Sequence, residues 1–226
     1  MTEELMVGTF GWDYPAWVGA YYPDDLPDDW RFGYYSNDFR SVLVPSDHFT
    51  GTGADISEWA EDCDESFRFV VQVDVGVLAG PGSSLVEFLH SLAPLEKRVV
   101  GYFVDLTEST DNLEAIASAL NSFASHGPLC LKPPKQDDPA EIKELAKRLN
   151  AGICWTPESM TAPLSGGTLM VALTKSNDPK LLRRMIESLE LWMQQSGGIA
   201  GLFITGGAEV TRVASQARVI AEMLGI

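Results

Sequence analysis

Eight short apolar runs recur along the chain, and nothing else in it constrains the fold as strongly. They are Leu5–Thr9, Ser41–Val44, Phe69–Val73, Val99–Val104, Leu129–Lys132, Gly152–Trp155, Leu169–Leu173 and Ala200–Thr205. Most are continuous rather than alternating in apolar character, which is the pattern of strands covered on both faces. Between most of them the spacing turns helical. Leu113, Ile116, Ala117, Leu120 and Phe123 form one stripe, and Ile142, Leu145, Ala146 and Leu149 form another. Leu181, Leu182, Met185, Ile186, Leu189 and Trp192-Met193 make a third, and Val210, Val213, Ala214, Ala217 and Ile220 a fourth. Asp138-Pro139 and Asp178-Pro179 each set a capping side chain before a proline suited to the first helical position. Gly225 supplies a helix stop. Shorter helices are expected at about 29–37, 56–61 and 84–92.

Strands that alternate with helices imply a parallel sheet, so the class is α/β. Eight of them imply closure into a small (β/α)8 TIM-like barrel, with an open doubly wound sheet as the runner-up. The link from Thr156 to Thr168 is short and rich in Pro and Gly. The helix between the sixth and seventh strands is therefore expected to be reduced or missing. The chain of 226 residues contains no internal repeat and no linker that would divide it. Residues 1–226 read as a single TIM-like barrel domain.

Composition narrows the setting. The formal net charge is -16, and such a surface repels phosphate backbones, so a nucleic-acid partner is not expected. No apolar run approaches the ~18 residues that a membrane-spanning helix requires. Met1-Thr2-Glu3-Glu4 lacks the basic region and apolar core of a signal peptide. The three cysteines, Cys63, Cys130 and Cys154, have no paired spacing, which argues for a reducing compartment. A soluble, acidic, cytoplasmic protein is the expectation.

The opening segment adds chemistry. An apolar strand runs into Gly8-Thr9-Phe10-Gly11-Trp12-Asp13-Tyr14-Pro15-Ala16-Trp17, followed by Tyr21-Tyr22-Pro23. Trp12, Tyr14, Trp17 and Tyr22 have two readings: a platform that stacks on a planar or sugar-like ligand, or a hydrophobic plug over one end of the barrel.

This opening resembles that of the YecE-like family (domain of unknown function seventy-two), whose members begin with Gly-Thr-x-Gly-Trp-x-Tyr-x-x-Trp. Gly8, Thr9, Gly11, Trp12, Tyr14 and Trp17 match in order. Tyr22-Pro23, Tyr34-Tyr35 and Phe39 fit the next stretch of the family pattern, and Trp59-Ala60 and Phe67-Arg68-Phe69 continue it more thinly. The resemblance implies a (β/α)8 barrel of unestablished activity. It also marks departures. A family glutamate and asparagine after the second strand are here Leu43 and Pro45, and a family lysine after the third is Gln72. Asp105-Leu106-Thr107, Cys130-Leu131-Lys132-Pro133 and Ile204-Thr205-Gly206 replace the family strings at the ends of the fourth, fifth and last strands. The scaffold pattern persists while the polar pocket positions have changed, so the chain reads as a divergent member with a degenerate active site.

In a barrel, groups at the carboxyl ends of the strands share one face. Here those ends offer Trp12, Asp47-His48, Asp74, Asp105, Lys132, Glu158, Lys175 and Thr205. Asp47, His48, Asp74 and Asp105 are of types that could hold a divalent ion. Yet His48 has no second histidine at ligand spacing, and Asp47 suits a turn, so no metal is assigned. Asp105 and Lys132, on neighbouring strands, could act as an acid–base pair or simply neutralise one another. Gly206-Gly207 precedes the last helix, but Glu209 in its first turn opposes an anion. The sequence names no cofactor. Two functions emerge: a ligand-binding or catalytically degenerate barrel with an aromatic-floored pocket, or a metal-independent hydrolase or lyase using Asp105 and Lys132.

Overall fold

The computed structural model describes residues 5–49, 56–79, 82–107, 113–134, 139–157 and 160–226. In chain order the strands and α-helices are β1 (Met6–Phe10), α1 (Arg31–Asp38), β2 (Ser41–Val44), α2 (Ile56–Asp62), β3 (Arg68–Val73), α3 (Val75–Ala79), α4 (Gly82–Ser91) and β4 (Val99–Asp105). Next come α5 (Leu113–Ala124), β5 (Leu129–Lys132), α6 (Pro139–Leu149), β6 (Gly152–Ile153), β7 (Leu169–Thr174), α7 (Pro179–Ser196), β8 (Ile199–Ile204) and α8 (Val210–Leu224).

All eight strands are parallel and lie in the order β6-β5-β4-β3-β2-β1-β8-β7. The two ends of that order meet. Just past β6, the Trp155 N–H donates to the Val171 carbonyl at 2.9 Å, and the Leu173 N–H donates to the Trp155 carbonyl at 2.9 Å. This parallel bridge between Trp155 and Ala172 closes the ring. Gly152 makes the seam tight: a Cβ there would lie 1.9 Å from the Leu169 carbonyl oxygen, so only glycine permits this approach.

Alternation sorts side chains into two layers. Met6, Leu43, Val70, Phe103, Cys130, Leu169, Val171 and Phe203 fill the ring interior. Val7, Val42, Val71, Val104, Leu131 and Leu202 point outward against the helices. Both faces of each strand are thus covered, which is why the strands read as continuous apolar runs.

Helix ends follow their caps. The Asp178 side chain accepts from the Lys180 N–H at 3.0 Å at the start of α7, and Gly225 ends α8 in the left-handed region at φ 77. Helix α6 begins at Pro139 as expected, while its expected cap Asp138 lies outside the described residues. Among the described residues between β6 and β7 there is no helix. Instead, the Trp155 indole donates to the Met160 carbonyl at 2.8 Å and the Trp192 indole to the Leu164 carbonyl at 3.0 Å. These bonds pin the irregular link against β6 and α7.

Some boundaries differ from expectation. Helix α1 starts at Arg31, after a turn at Asp28–Trp30. The short α3 has no helical signature in Val75-Gly76-Val77; it starts where the Asp74 carboxylate accepts the Gly76 N–H at 2.6 Å.

Candidate functional site

The opening signature is built into the layer between the sheet and the first helices. Gly11 takes a φ of +74, and its N–H donates to the Leu43 carbonyl at 2.8 Å, turning the chain out of β1 across the end of β2. Trp12 then packs on Phe32 at a ring-centre distance of 4.9 Å, on Trp59 at 4.8 Å and on His48 at 4.6 Å. The Tyr22 hydroxyl donates to the Trp12 carbonyl at 2.6 Å, and the Tyr14 hydroxyl to the Phe10 carbonyl at 2.6 Å. Thr9 faces outward, where its N–H donates to the Tyr35 hydroxyl at 3.2 Å while that hydroxyl donates to the Ser41 carbonyl at 2.9 Å. Trp12 is 4% exposed, Trp17 0% and Tyr22 1%. A stacking platform needs an open ring face, and these three present none. Tyr14 is half-buried, and burial, with Asp47 nearby, pushes its phenol up to about 12. The aromatic floor beneath the barrel mouth comes from other residues: Phe10, Phe103 and Phe203, which point into the ring.

The acidic positions at the rim are dispersed. Asp47, with its side chain 81% exposed, holds the His48 Nδ1 at 3.0 Å. The Asp74 carboxylate caps Gly76 and is exposed. Lys175 is exposed. The Thr205 N–H donates to the Thr174 carbonyl at 2.9 Å, and its hydroxyl reaches the same oxygen at 3.4 Å. Glu158 lies outside the described residues. Asp47 and His48 therefore pair with one another, Asp74 caps Gly76 and Asp105 holds Lys132. Among the described residues no three His, Cys, Asp or Glu side chains are gathered as metal ligands are.

Asp105 and Lys132 are different. Their strands pair so that Asp105 sits opposite Lys132 at the carboxyl ends of β4 and β5. Phe103 and Cys130, two residues earlier on each strand, face the interior, so alternation turns Asp105 and Lys132 inward above them. The Lys132 ammonium donates to Asp105 Oδ2 at 2.7 Å. Asp105 Oδ1 accepts the Thr107 N–H at 2.9 Å and the Thr107 hydroxyl as well. The carboxylate is thereby fixed, with Thr107 on one oxygen and the ammonium on the other. Both side chains remain partly open, 31% for Lys132 and 23% for Asp105. Among the described residues this is the one ion pair that joins two strands of the ring.

Cys154 follows β6 on the next position around the ring, inside the barrel and close enough to feel both charges. Its thiol is pushed well above the usual range by burial first, with Cys130 adding to the rise, and the Cys130 thiol is pushed up to about 12 by burial. Burial thus favours the neutral thiol at both positions. Gln72, inward on β3, accepts the Ser46 N–H at 3.1 Å and so ties the β2 loop to the same rim. Thr107 escaped the sequence reading, although the Asp-x-Thr spacing is one at which an aspartate side chain accepts from the backbone two residues on.

Comparison with known proteins bears on both the fold and its opening signature. The family described as "Protein of unknown function DUF72" matches residues 6–133, more than half of the chain. The chain belongs to this family.

Two solved DUF72 proteins share its architecture. One, from Thermotoga maritima, superposes with a TM-score of 0.70 at 14% identity, covering 99% of this chain and 100% of its own. The other, from Enterococcus faecalis, gives 0.68 at 14% identity over 100% of both chains. Identity this low speaks for the fold alone. No curated protein matches the chain in sequence. The segment matched to DUF72 contains the signature and both Asp105 and Lys132, whereas Cys154, Lys175 and Thr205 lie beyond it.

Proposed function

We propose that this DUF72 protein binds a small polar molecule at the carboxyl ends of β4, β5 and β6, with the Lys132 ammonium as the recognition group. The observation that carries the reading is the inward, half-open Asp105–Lys132 pair at 2.7 Å, steadied by Thr107 above an apolar, close-packed interior. Phe10, Phe103, Leu173 and Phe203 occupy the ring below, so a ligand sits on top of this floor rather than within it. The mixture of a few polar groups over an apolar floor is what small-molecule sites are made of. Gln72, inward on the adjacent β3, places a side-chain amide on the same rim. The apolar Leu43 and Pro45, where the resemblance implies polar family residues, support binding over retained family chemistry. Hydrogen-bond contact between Asp105 and Lys132 favours a second reading, a metal-independent hydrolase or lyase that uses them as acid and base.

The wider setting belongs to the same proposal. Residues 1–226 act as one domain in the cytoplasm, an assignment supported by three free cysteines. Nucleic acid is not a partner of so acidic a chain. Among the described residues no helix is long and apolar enough to cross a membrane.

Thermal shift against small carboxylates, phosphates and sugars tests the site, comparing wild type with Lys132→Met and, as a control, Lys175→Met. A ligand at about 100 times its Kd adds about 2.7 kcal/mol, several degrees of melting temperature. At least one compound is expected to stabilise wild type and Lys175→Met while leaving Lys132→Met unmoved. Equal stabilisation of all three, or of none, overturns the assignment.

A further inference from the structure

We infer that the cavity between α6 and the β6–β7 link binds a small amphiphilic anion, an acidic head group on a short apolar body, with Lys143 and Lys147 holding the head. This site shares no residue with the one at the barrel mouth and goes beyond it.

The fold supplies the space. Every other strand is followed in the chain by a helix, whereas among the described residues from β6 to β7 there is none. The irregular link instead comes back against the junction of α6 and β6. At Gly167 the two backbones nearly touch: a Cβ there would lie 2.3 Å from the Gly152 nitrogen. Beside this contact is a cavity of about 430 Å3, a volume at which small molecules are held. Its floor is apolar, made by the buried Ala146 and Ile153 with the half-buried Leu164. Its rim is polar, made by Lys143, Lys147, Asn150 and Ser165, all exposed.

The charge on that rim is unbalanced. Lys143 and Lys147 stand four residues apart, as neighbours on one face of α6. The chain has 32 Asp and Glu against 16 Lys and Arg, and Glu144 precedes Lys147 by three residues. Carboxylates are therefore not scarce, yet among the described residues neither lysine pairs with one. Like charges at this spacing repel, and an anion between them removes that repulsion. Lysines on a plain helix surface would simply be solvated; these two line a cavity with a buried apolar floor. A bare anion would satisfy the lysines and leave the floor unused, and a neutral apolar molecule would do the reverse. A molecule with both parts uses both surfaces.

The carbonyl end of α6 opposes an anion with roughly half a charge. Its last turn is closed on itself, which blunts that effect. The Ala151 N–H donates to the Ala146 carbonyl at 2.8 Å, and the Asn150 N–H to the Lys147 carbonyl at 3.2 Å. Asn150 ends the helix in the left-handed region at φ 51, leaving its side-chain amide on the rim as a further donor. Two full positive charges outweigh what remains.

Isothermal titration calorimetry on the full chain compares octanoate with octan-1-ol, which keeps the body without the charge, and with acetate, which keeps the charge without the body. Octanoate is expected to bind at least about tenfold more tightly than either. Lys143→Gln combined with Lys147→Gln should weaken octanoate by about tenfold, and Ser165→Glu, which sets a carboxylate on the rim, by a similar factor. All three positions are exposed, so these variants should keep the wild-type circular dichroism spectrum and melting temperature. Lys132→Met should bind octanoate as wild type does, and octanoate should shift the amide resonances of Gly166 and Gly167. Absence of octanoate binding, equal affinity for octanoate and either control, or undiminished affinity in the lysine double variant or in Ser165→Glu overturns the inference. Loss of binding in Lys132→Met with none in the double variant also overturns it, and places the anion at the barrel mouth instead.

Discussion

At the scale of single residues, the opening signature is a packing device before it is anything else. Trp12 fills the space among Phe32, His48 and Trp59, and its carbonyl anchors the buried Tyr22 hydroxyl. Removing a ring that is 4% exposed deletes its contacts and leaves a void that helices α1 and α2 can only partly close. Trp12→Ala is expected to destabilise the fold by about 3–5 kcal/mol, read as a lower midpoint in urea unfolding. A change below about 1 kcal/mol would mean that the ring is not part of the core. The choice between plug and platform could not be made from the residue types, because Trp and Tyr serve both roles. It needed the neighbours, and Phe32 and Trp59 come from α1 and α2, far along the chain.

At the scale of elements, the runs of apolar residues were legible because each strand is covered twice, by the interior and by a helix, and so carries no polar alternation. Caps were legible for the same local reason: Asp178 and Pro179 act within one turn of each other. Asp178→Ala is expected to cost about 1 kcal/mol and to lower the thermal midpoint by a few degrees, since it removes the acceptor for the Lys180 N–H at the start of an 18-residue helix. Two elements resisted. Helix α3 is set by one side-chain bond from Asp74 rather than by periodicity. Strand β6 is only Gly152–Ile153; beyond it the Cys154 N–H still donates to the Leu131 carbonyl of β5, and Trp155 makes the closing bridge. The expectation of a reduced or missing helix after β6 came from Pro and Gly, which act locally, and among the described residues of that link there is no helix.

At the scale of the whole molecule, closure decides what can be a site. Bringing Trp155 against Val171 and Leu173 turns eight separate runs into a ring, and the ring gives Asp105 and Lys132 a common inward direction. Their partnership was visible in sequence as two charged residues ending adjacent apolar runs; the role of Thr107, and the dispersal of Asp47 and Asp74, depend on loop geometry that no spacing rule conveys. The ring interior and the layer outside β1 also bury acids that ionise only at high pH, and this sets a measurable limit on stability. Burial raises the Cys130 thiol from 9.0 to about 12 and the Tyr14 phenol from 10.0 to about 12, and it raises Tyr21, Tyr22 and Tyr35 in the same direction. In the unfolded chain these groups lose protons near their ordinary values, while in the fold they keep them. The unfolded state then binds fewer protons, so stability is intact below about pH 9 and falls as pH rises toward 12 and beyond. Urea midpoints taken from pH 8 to pH 11 should decline steeply above pH 9, with proton release on unfolding seen as tyrosinate absorbance. Tyr35→Phe removes one of these groups, at the cost of its bonds to Thr9 and Ser41, and should flatten the decline while lowering the plateau. A midpoint that stays level to pH 11 would mean that the thiols and phenols titrate in the fold as they do in water, and that the interior and the layer behind β1 are open to solvent.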